Sequence, residues 1–210
     1  MLVGSGCPWV VDFSMRFSKT AYYADFVIYA TIVVALAMHL WLREQWPVRL
    51  QWLGEFALGM AAWTLLEYVL HRWVLHRAPI IAPMHEAHHR SPRDLLGTPT
   101  WVSLAMIWTL FFLPTWWGCS FTAASGLTAG VMMGFLWYGV LHHIAHHGRP
   151  ALLATPLAGY VRRHLRHHYA KRPVNFGFST ALWDHVFGTA DRAPHVIAQS
   201  CRRSRMTSRP

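Results

Sequence analysis

The chain has 210 residues, 54% of them apolar and only 13% charged, about half the charged fraction of an ordinary soluble domain. The length leaves room for one domain and excludes a separate cofactor-binding module, and the composition excludes a soluble globular protein in favour of a polytopic membrane protein. Three widely spaced cysteines, Cys7, Cys119 and Cys201, exclude a disulfide framework and a zinc ribbon, while the net charge of +10 takes its meaning from where the basic residues fall.

Residues 1–25 lack the basic, apolar and small-residue run of a signal peptide, so the N-terminus is expected to be retained. Four stretches then approach the roughly 20 apolar residues that a spanning helix needs: Phe26–Leu42, Trp52–Leu70, Pro99–Trp117 and Phe121–Leu141. Trp41, Trp46, Trp52, Trp101, Trp116, Trp117 and Trp137 crowd the segment ends, as an interfacial aromatic belt would. Only Gly118, Cys119 and Ser120 separate the third and fourth segments, which predicts a tight hairpin. Gly126, Gly130 and Gly134 recur every four residues and predict a close helix contact. Met132, Met133, Phe135 and Trp137 are read as packing or lipid-facing surface, with the lining of a lipid channel as the alternative.

Seventeen of the nineteen Lys and Arg residues lie before the first segment, between the second and third, or after the fourth; only Arg43 and Arg49 fall on the other side. The positive-inside rule then places both termini and the connections at 71–97 and 142–210 in the cytoplasm. Topology accounts for the charge, and nucleic acid is not an expected partner. Residues 190–210 form a basic tail expected to be disordered, either solvated or lying against anionic headgroups.

Twelve of the fifteen histidines fall in four short runs within those two connections. His71 and His76 (HRWVLH) precede His85, His88 and His89 (HEAHH). His142, His143, His146 and His147 (HHIAHH) precede His164, His167 and His168 (HLRHH). At this histidine content a given HxxHH arises by chance roughly once in three thousand windows, so two copies call for a chemical reason. Positions i, i+3 and i+4 share a helix face, so each HxxHH is expected to aim a comb of three imidazoles inward. His142/His146 and His143/His147 are each one turn apart, on stripes about 100° round the axis. His71 and His76 lie five apart, which an ideal helix splays by about 140°. They share a metal only across a kink or π-bulge, or else serve different ions.

Neutral imidazole ligates iron, zinc and copper. One ion takes about four to six ligands, so ten or more imidazoles fit two ions with about five each. His39, His185 and His195 stand outside the spacing and are read as bystanders.

The ordered set LHRWVLH, HEAHH, HHIAH and HLRHH, closed by NFGFSTALWDHVFGT, resembles the fatty acid hydroxylase / sterol desaturase superfamily of integral-membrane di-iron enzymes. The resemblance runs from about Glu67 to Thr189. With the topology, it implies an all-α four-helix transmembrane bundle whose cytoplasmic helical cap holds a histidine-rich dimetal site. One domain would cover residues 1–210: an N-terminal segment 1–25, a transmembrane and catalytic region 26–189, and the tail. Carried over by the resemblance, the ligands are His71, His76, His85, His88, His89, His142, His146, His164, His167 and His168.

The doubled third box leaves His143 and His147 as competitors or as neighbours behind the ligands; lining up Tyr138 and Gly148 favours His142 and His146. Glu67, one turn before His71, is expected either to accept that imidazole's second ring proton or to sit at the membrane interface. Glu86 points off the ligand face and would support the site from outside at most. Asn175 and Asp184 are expected to fix an imidazole or to lock the closing segment.

The implied reaction is O₂-dependent hydroxylation of a lipid at two iron ions, with substrate entering from the bilayer and electrons from an external donor. A fatty acyl chain is the first expectation, and zinc can occupy the same imidazoles after isolation. Carotenoid ring hydroxylation and sterol desaturation or methyl oxidation are the alternatives within the superfamily. The three-residue gap between His142 and His146 and the LWDHVFGT ending lean toward the acyl side. A histidine-rich metal transporter is the alternative of another class, although transporters place ionisable groups near the bilayer midplane. The short gap from His76 to His85 and the lack of a fused electron-carrying haem module resemble a compact bacterial-type member. The motifs leave the acyl carrier, regiochemistry and oligomeric state open.

Overall fold

The computed structural model describes residues 17–191, and every regular element there is helical. Helix α1 (Lys19–Arg43) is joined through two residues to α2 (Trp46–Val69), which continues as a π-helical turn over Leu70–Leu75. A short α3 (Ala82–Arg90) follows. Then α4 (Thr100–Ile107) passes through a second π turn (Trp108–Phe112) into α5 (Leu113–Gly118). Next come the long α6 (Phe121–His147), a 3-10 turn (Pro150–Ala154), α7 (Ala158–Tyr169) and α8 (Leu182–Val186). Expectations for residues 1–16 and 192–210, including the basic tail and His195, lie outside the described residues.

Four helical stretches are long and apolar enough to cross a membrane: Lys19–Arg43, Trp46–Leu75, Thr100–Gly118 and Phe121–His147. Three of them contain the expected segments and run beyond them; the third span, Thr100–Gly118, is shifted by one residue from the expected Pro99–Trp117. The 27 residues of α6 span about 40 Å against a hydrocarbon thickness of about 30 Å. About two turns are therefore left over, and the last two carry His142 and His146. Ser18 and Ser120 cap α1 and α6 by accepting from the amides of Ala21 and Ala123, each at 3.1 Å.

The bundle is organised round α6. Of its apolar window 56% is buried, against 17–22% for the other three spans, whose outer faces are left for lipid. α2 lies closest to it. A Cβ on Gly59 would collide with the backbone of Leu127, and one on Gly130 with the backbone of Phe56. The expected glycine contact is thus real, and its partner on α2 is Gly59. Around it pack Tyr29, Val33, Trp63, Ile107, Val131 and Met132. Two pairs of polar groups in this layer satisfy each other, as hydrocarbon favours: Tyr29 Oη donates to Ser103 Oγ at 2.8 Å and Trp52 Nε1 to Ser125 Oγ at 3.1 Å. Trp52 is therefore a core residue and no part of the interfacial belt. Trp41, Trp46, Trp101, Trp116 and Trp117 stay exposed.

Candidate metal centre

The spans deliver four histidine-bearing elements to one end of the bundle. The π turn supplies His71 and His76, α3 supplies His85, His88 and His89, α6 supplies His142 and His146, and α7 supplies His164, His167 and His168. A π turn bonds residue i to i+5, which brings two side chains five apart onto one side. The expected distortion is present, and the rings of His71 and His76 lie 5.2 Å apart.

The ten imidazoles form two groups. His71, His76, His85, His89 and His167 make one; His88, His142, His146, His164 and His168 make the other; within each, one ring nitrogen from every imidazole lies within 4.8 Å of those of the others. Each HxxHH is divided between the groups, which corrects the expectation of a three-pronged comb. His85 and His89 enter the first group and His88 the second, while His164 and His168 enter the second and His167 the first. Residues i+3 and i+4 are about 100° apart round a helix, so two facing helices each straddle two centres. The groups abut where His89 stacks on His168, centroids 4.1 Å apart.

Tautomers follow from the partners. A carbonyl oxygen only accepts, so His71 Nδ1 donates to Phe176 O at 2.6 Å and His167 Nδ1 to Val174 O at 2.7 Å. The Nε2 of each then points a lone pair into the first group. His85 Nε2 faces the Nε2 atoms of His71, His76 and His89 at 3.1–3.2 Å, and one ring proton can serve only one of them. In the second group, both ring nitrogens of His168 are buried without a hydrogen-bond partner. Buried nitrogens converging this closely without enough protons suit a cation, and two bonds of about 2.1 Å across one ion span about 4.2 Å, close to the observed spread. The all-imidazole donor set fits a borderline transition metal such as iron or zinc.

Burial, then the neighbouring imidazoles, push the cap histidines well below their ordinary value. His76 falls to about 4, His88 and His167 to about 3 and His168 to about 2. His85, His89 and His164 shift the same way for the same first reason. All are neutral at pH 7, as ligands must be.

The expected supporting residues act through the backbone. Glu67, buried in α2, does not reach His71; it accepts from the amides of Phe178 and Ser179. Asp184, fully buried, accepts from the amides of Phe176 and Gly177 at 2.8 Å each and from the Thr189 hydroxyl at 2.7 Å. Asn175 takes a left-handed φ of 54° and accepts from the Asp191 amide at 2.9 Å. Arg163 Nε donates to Gly177 O at 3.1 Å. Together these clamp a strap, residues 174–179, whose carbonyls hold His71 and His167. Of the two roles open to Asp184 and Asn175, the structure shows locking of the segment. Glu86 is exposed on α3 and binds no imidazole.

His143 pairs with the Tyr22 hydroxyl at 3.2 Å and stacks on the exposed His147, so this pair of the doubled box stands outside both groups. His39 and His185 also stand apart, the one against Phe121 and the other bonded to Ala181 O. Sequence reasoning misses Arg163, Phe178 stacked on His164 at 4.3 Å, and the carbonyls of Val174 and Phe176; the NFG run of the closing segment is the only signal near them.

A cavity of about 680 Å³ opens among α1, α4 and α6 and reaches His85 of the first group and His88 and His142 of the second. Of the four residues weighed as channel lining, Phe135 alone borders it. Met132 is core, Met133 packs against that core, and Trp137 faces outward.

The sequence profile of the family described as "Fatty acid hydroxylase" matches residues 56–189. The chain is 32% identical to dihydroceramide fatty acyl 2-hydroxylase FAH2 of Arabidopsis thaliana over 63% of its own length and 59% of the relative's. It is 28% identical to fatty acid 2-hydroxylase of Mus musculus over 85% of its own length and 55% of the relative's. It thus spans somewhat more than half the length of these relatives. The solved structure of full-length Scs7p, in which only the hydroxylase domain is visible, superposes with a TM-score of 0.67 at 26% identity, covering 84% of this chain and 69% of that one.

Proposed function

This chain belongs to the fatty acid hydroxylase family, and on that premise we propose that it is a membrane oxygenase that hydroxylates a fatty acyl chain. The overall conversion is acyl C–H + O₂ + two electrons + two protons to acyl C–OH + H₂O, with electrons from an external donor. Each five-histidine group would hold one iron ion, and the ions would supply dioxygen activation and electron acceptance, which no side chain can. The observation that carries this reading is the cavity, apolar along most of its wall, that ends on histidines of both groups. Its apolar wall binds the acyl chain and keeps water from the reacting carbon. The Nδ1 bonds of His71 and His167 hold their rings so that Nε2 faces inward, and the clamped strap keeps those bonds in place. A cytoplasmic site with cytoplasmic termini is supported by the distribution of basic residues, seventeen of the nineteen falling on one side of the spans.

Expression in a host lacking the gene, followed by lipid extraction and mass spectrometry, is expected to reveal acyl species carrying one added oxygen. The His88→Ala variant is expected to make none. A hydroxylated carotenoid or altered sterol in their place would overturn the acyl assignment. Iron-loaded protein that consumes no O₂ with lipid and reductant would overturn the oxygenase reading and favour transport.

A further inference from the structure

One carboxylate interrupts the apolar wall of the cavity. Asp25 of α1 borders it, in the second turn of that helix, beside Tyr22 one turn earlier and Thr100 at the start of α4. The Thr100 side chain stands near the carboxylate, yet Asp25 Oδ1 is buried without a hydrogen-bond partner. Among the described residues no cation pairs with it. A buried carboxylate oxygen with no donor is costly, so such an atom marks either strain or a place where a ligand completes the bond. Here the oxygen belongs to a residue that lines a cavity, and that cavity supplies the room for a donor.

Position agrees with chemistry. Asp25 immediately precedes the first apolar stretch, Phe26–Leu42, so in a spanning helix it falls toward one end of the hydrocarbon, the end that a lipid's polar head also approaches. The same cavity touches His88 and His142, so whatever holds the head also decides which carbon of the tail comes to the histidines.

We propose that Asp25 is a positioning residue for the substrate head: its free Oδ1 accepts a hydrogen bond from an N–H or O–H of a neutral head, and its charge turns away a free carboxylate. This rests on the reading that the cavity takes an acyl lipid. An ionised carboxylate only accepts, so a head with a donor is favoured and an ester, which has none, is not. Tyr22 and Thr100 offer hydroxyls beside it, but neither neutralises its charge.

Binding tests this without turnover. Purified full-length protein in detergent is titrated with palmitamide, methyl palmitate or palmitate, and tryptophan fluorescence is followed, Trp101 being part of the cavity wall. The wild type is expected to bind the amide about tenfold more tightly than the ester, the effect of one hydrogen bond to a charged acceptor, and palmitate more weakly than either. Asp25→Ala is expected to erase the amide preference. Asp25→Asn, equal in size and uncharged, is expected to keep part of it and to admit palmitate. Equal binding of amide and ester by the wild type, or an unchanged preference in Asp25→Ala, overturns the proposal. Should the alanine variant fail to hold its fold, palmitate binding by Asp25→Asn as weak as that of the wild type overturns it equally. In active protein Asp25→Ala should also scatter the position of the new hydroxyl, a change that loss of stability alone would not produce. Lack of hydroxylation with the amide preference intact would strike the proposed reaction and leave the anchor standing.

Discussion

The two histidine groups hold the same donors in the same number and are built in different ways. In the group containing His167, orientation comes from non-helical backbone: the carbonyls of Phe176 and Val174 fix His71 and His167, and buried Glu67 and Asp184 fix that backbone. In the group containing His164, orientation comes from α6 and from rings, with Tyr138 stacked on His142 and Phe178 on His164. Equal sets of candidate ligands therefore depend on unequal supports. One depends on a strap held by charge-assisted hydrogen bonds, the other on the most buried helix of the membrane bundle.

Substituting one ligand in each group tests the division most severely. His167→Ala and His88→Ala are each expected to reduce hydroxylation to background while leaving about half of the bound metal, read by elemental analysis of the purified protein. Loss of all metal in either variant would show that the groups do not fill separately.

Acid should weaken both groups together. Folded-state values of about 4 for His76, 3 for His88 and His167, and 2 for His168 lie below the ordinary 6.5 of a free histidine. The unfolded chain then binds more protons, so stability is full above pH 6.5 and falls as pH drops from there through 4 toward 2. Thermal unfolding of metal-depleted protein should show its midpoint falling across that window. A midpoint independent of pH between 7 and 4 would contradict the burial of these rings.

Asp184→Asn should sharpen the comparison with a smaller effect. It replaces one acceptor oxygen by a donor facing Phe176 N–H, Gly177 N–H or the Thr189 hydroxyl, at a cost of about 1–3 kcal/mol. Metal affinity should drop about 10–100-fold in the group held by the strap and less in the other, read by competition with a chelator. Equal weakening of both would mean that the strap supports the site as a whole.

Much of this arrangement is legible in the chain. The four spans follow from apolar length, and the π distortion from the five-residue gap between His71 and His76. The α2–α6 contact follows in part from Gly126, Gly130 and Gly134, with the partner Gly59 unforeseen. Other features are not legible. One-turn spacing points Glu67 at His71, yet the Phe176 carbonyl, 105 residues away, takes that imidazole, and a backbone oxygen leaves no mark in the order of side chains. Periodicity places His85, His88 and His89 on one face, but only a second helix opposite turns their 100° spread into two centres.

The sequence alone determined the number and kind of candidate ligands, the membrane spans and the end of the bundle to which the histidines are carried, because residue type and helical period are local properties. Tertiary structure alone decided how the imidazoles divide, which nitrogen of each ring faces inward, and that a lone carboxylate borders the cavity beside them. Those outcomes depend on which partners long-range packing brings within hydrogen-bonding reach.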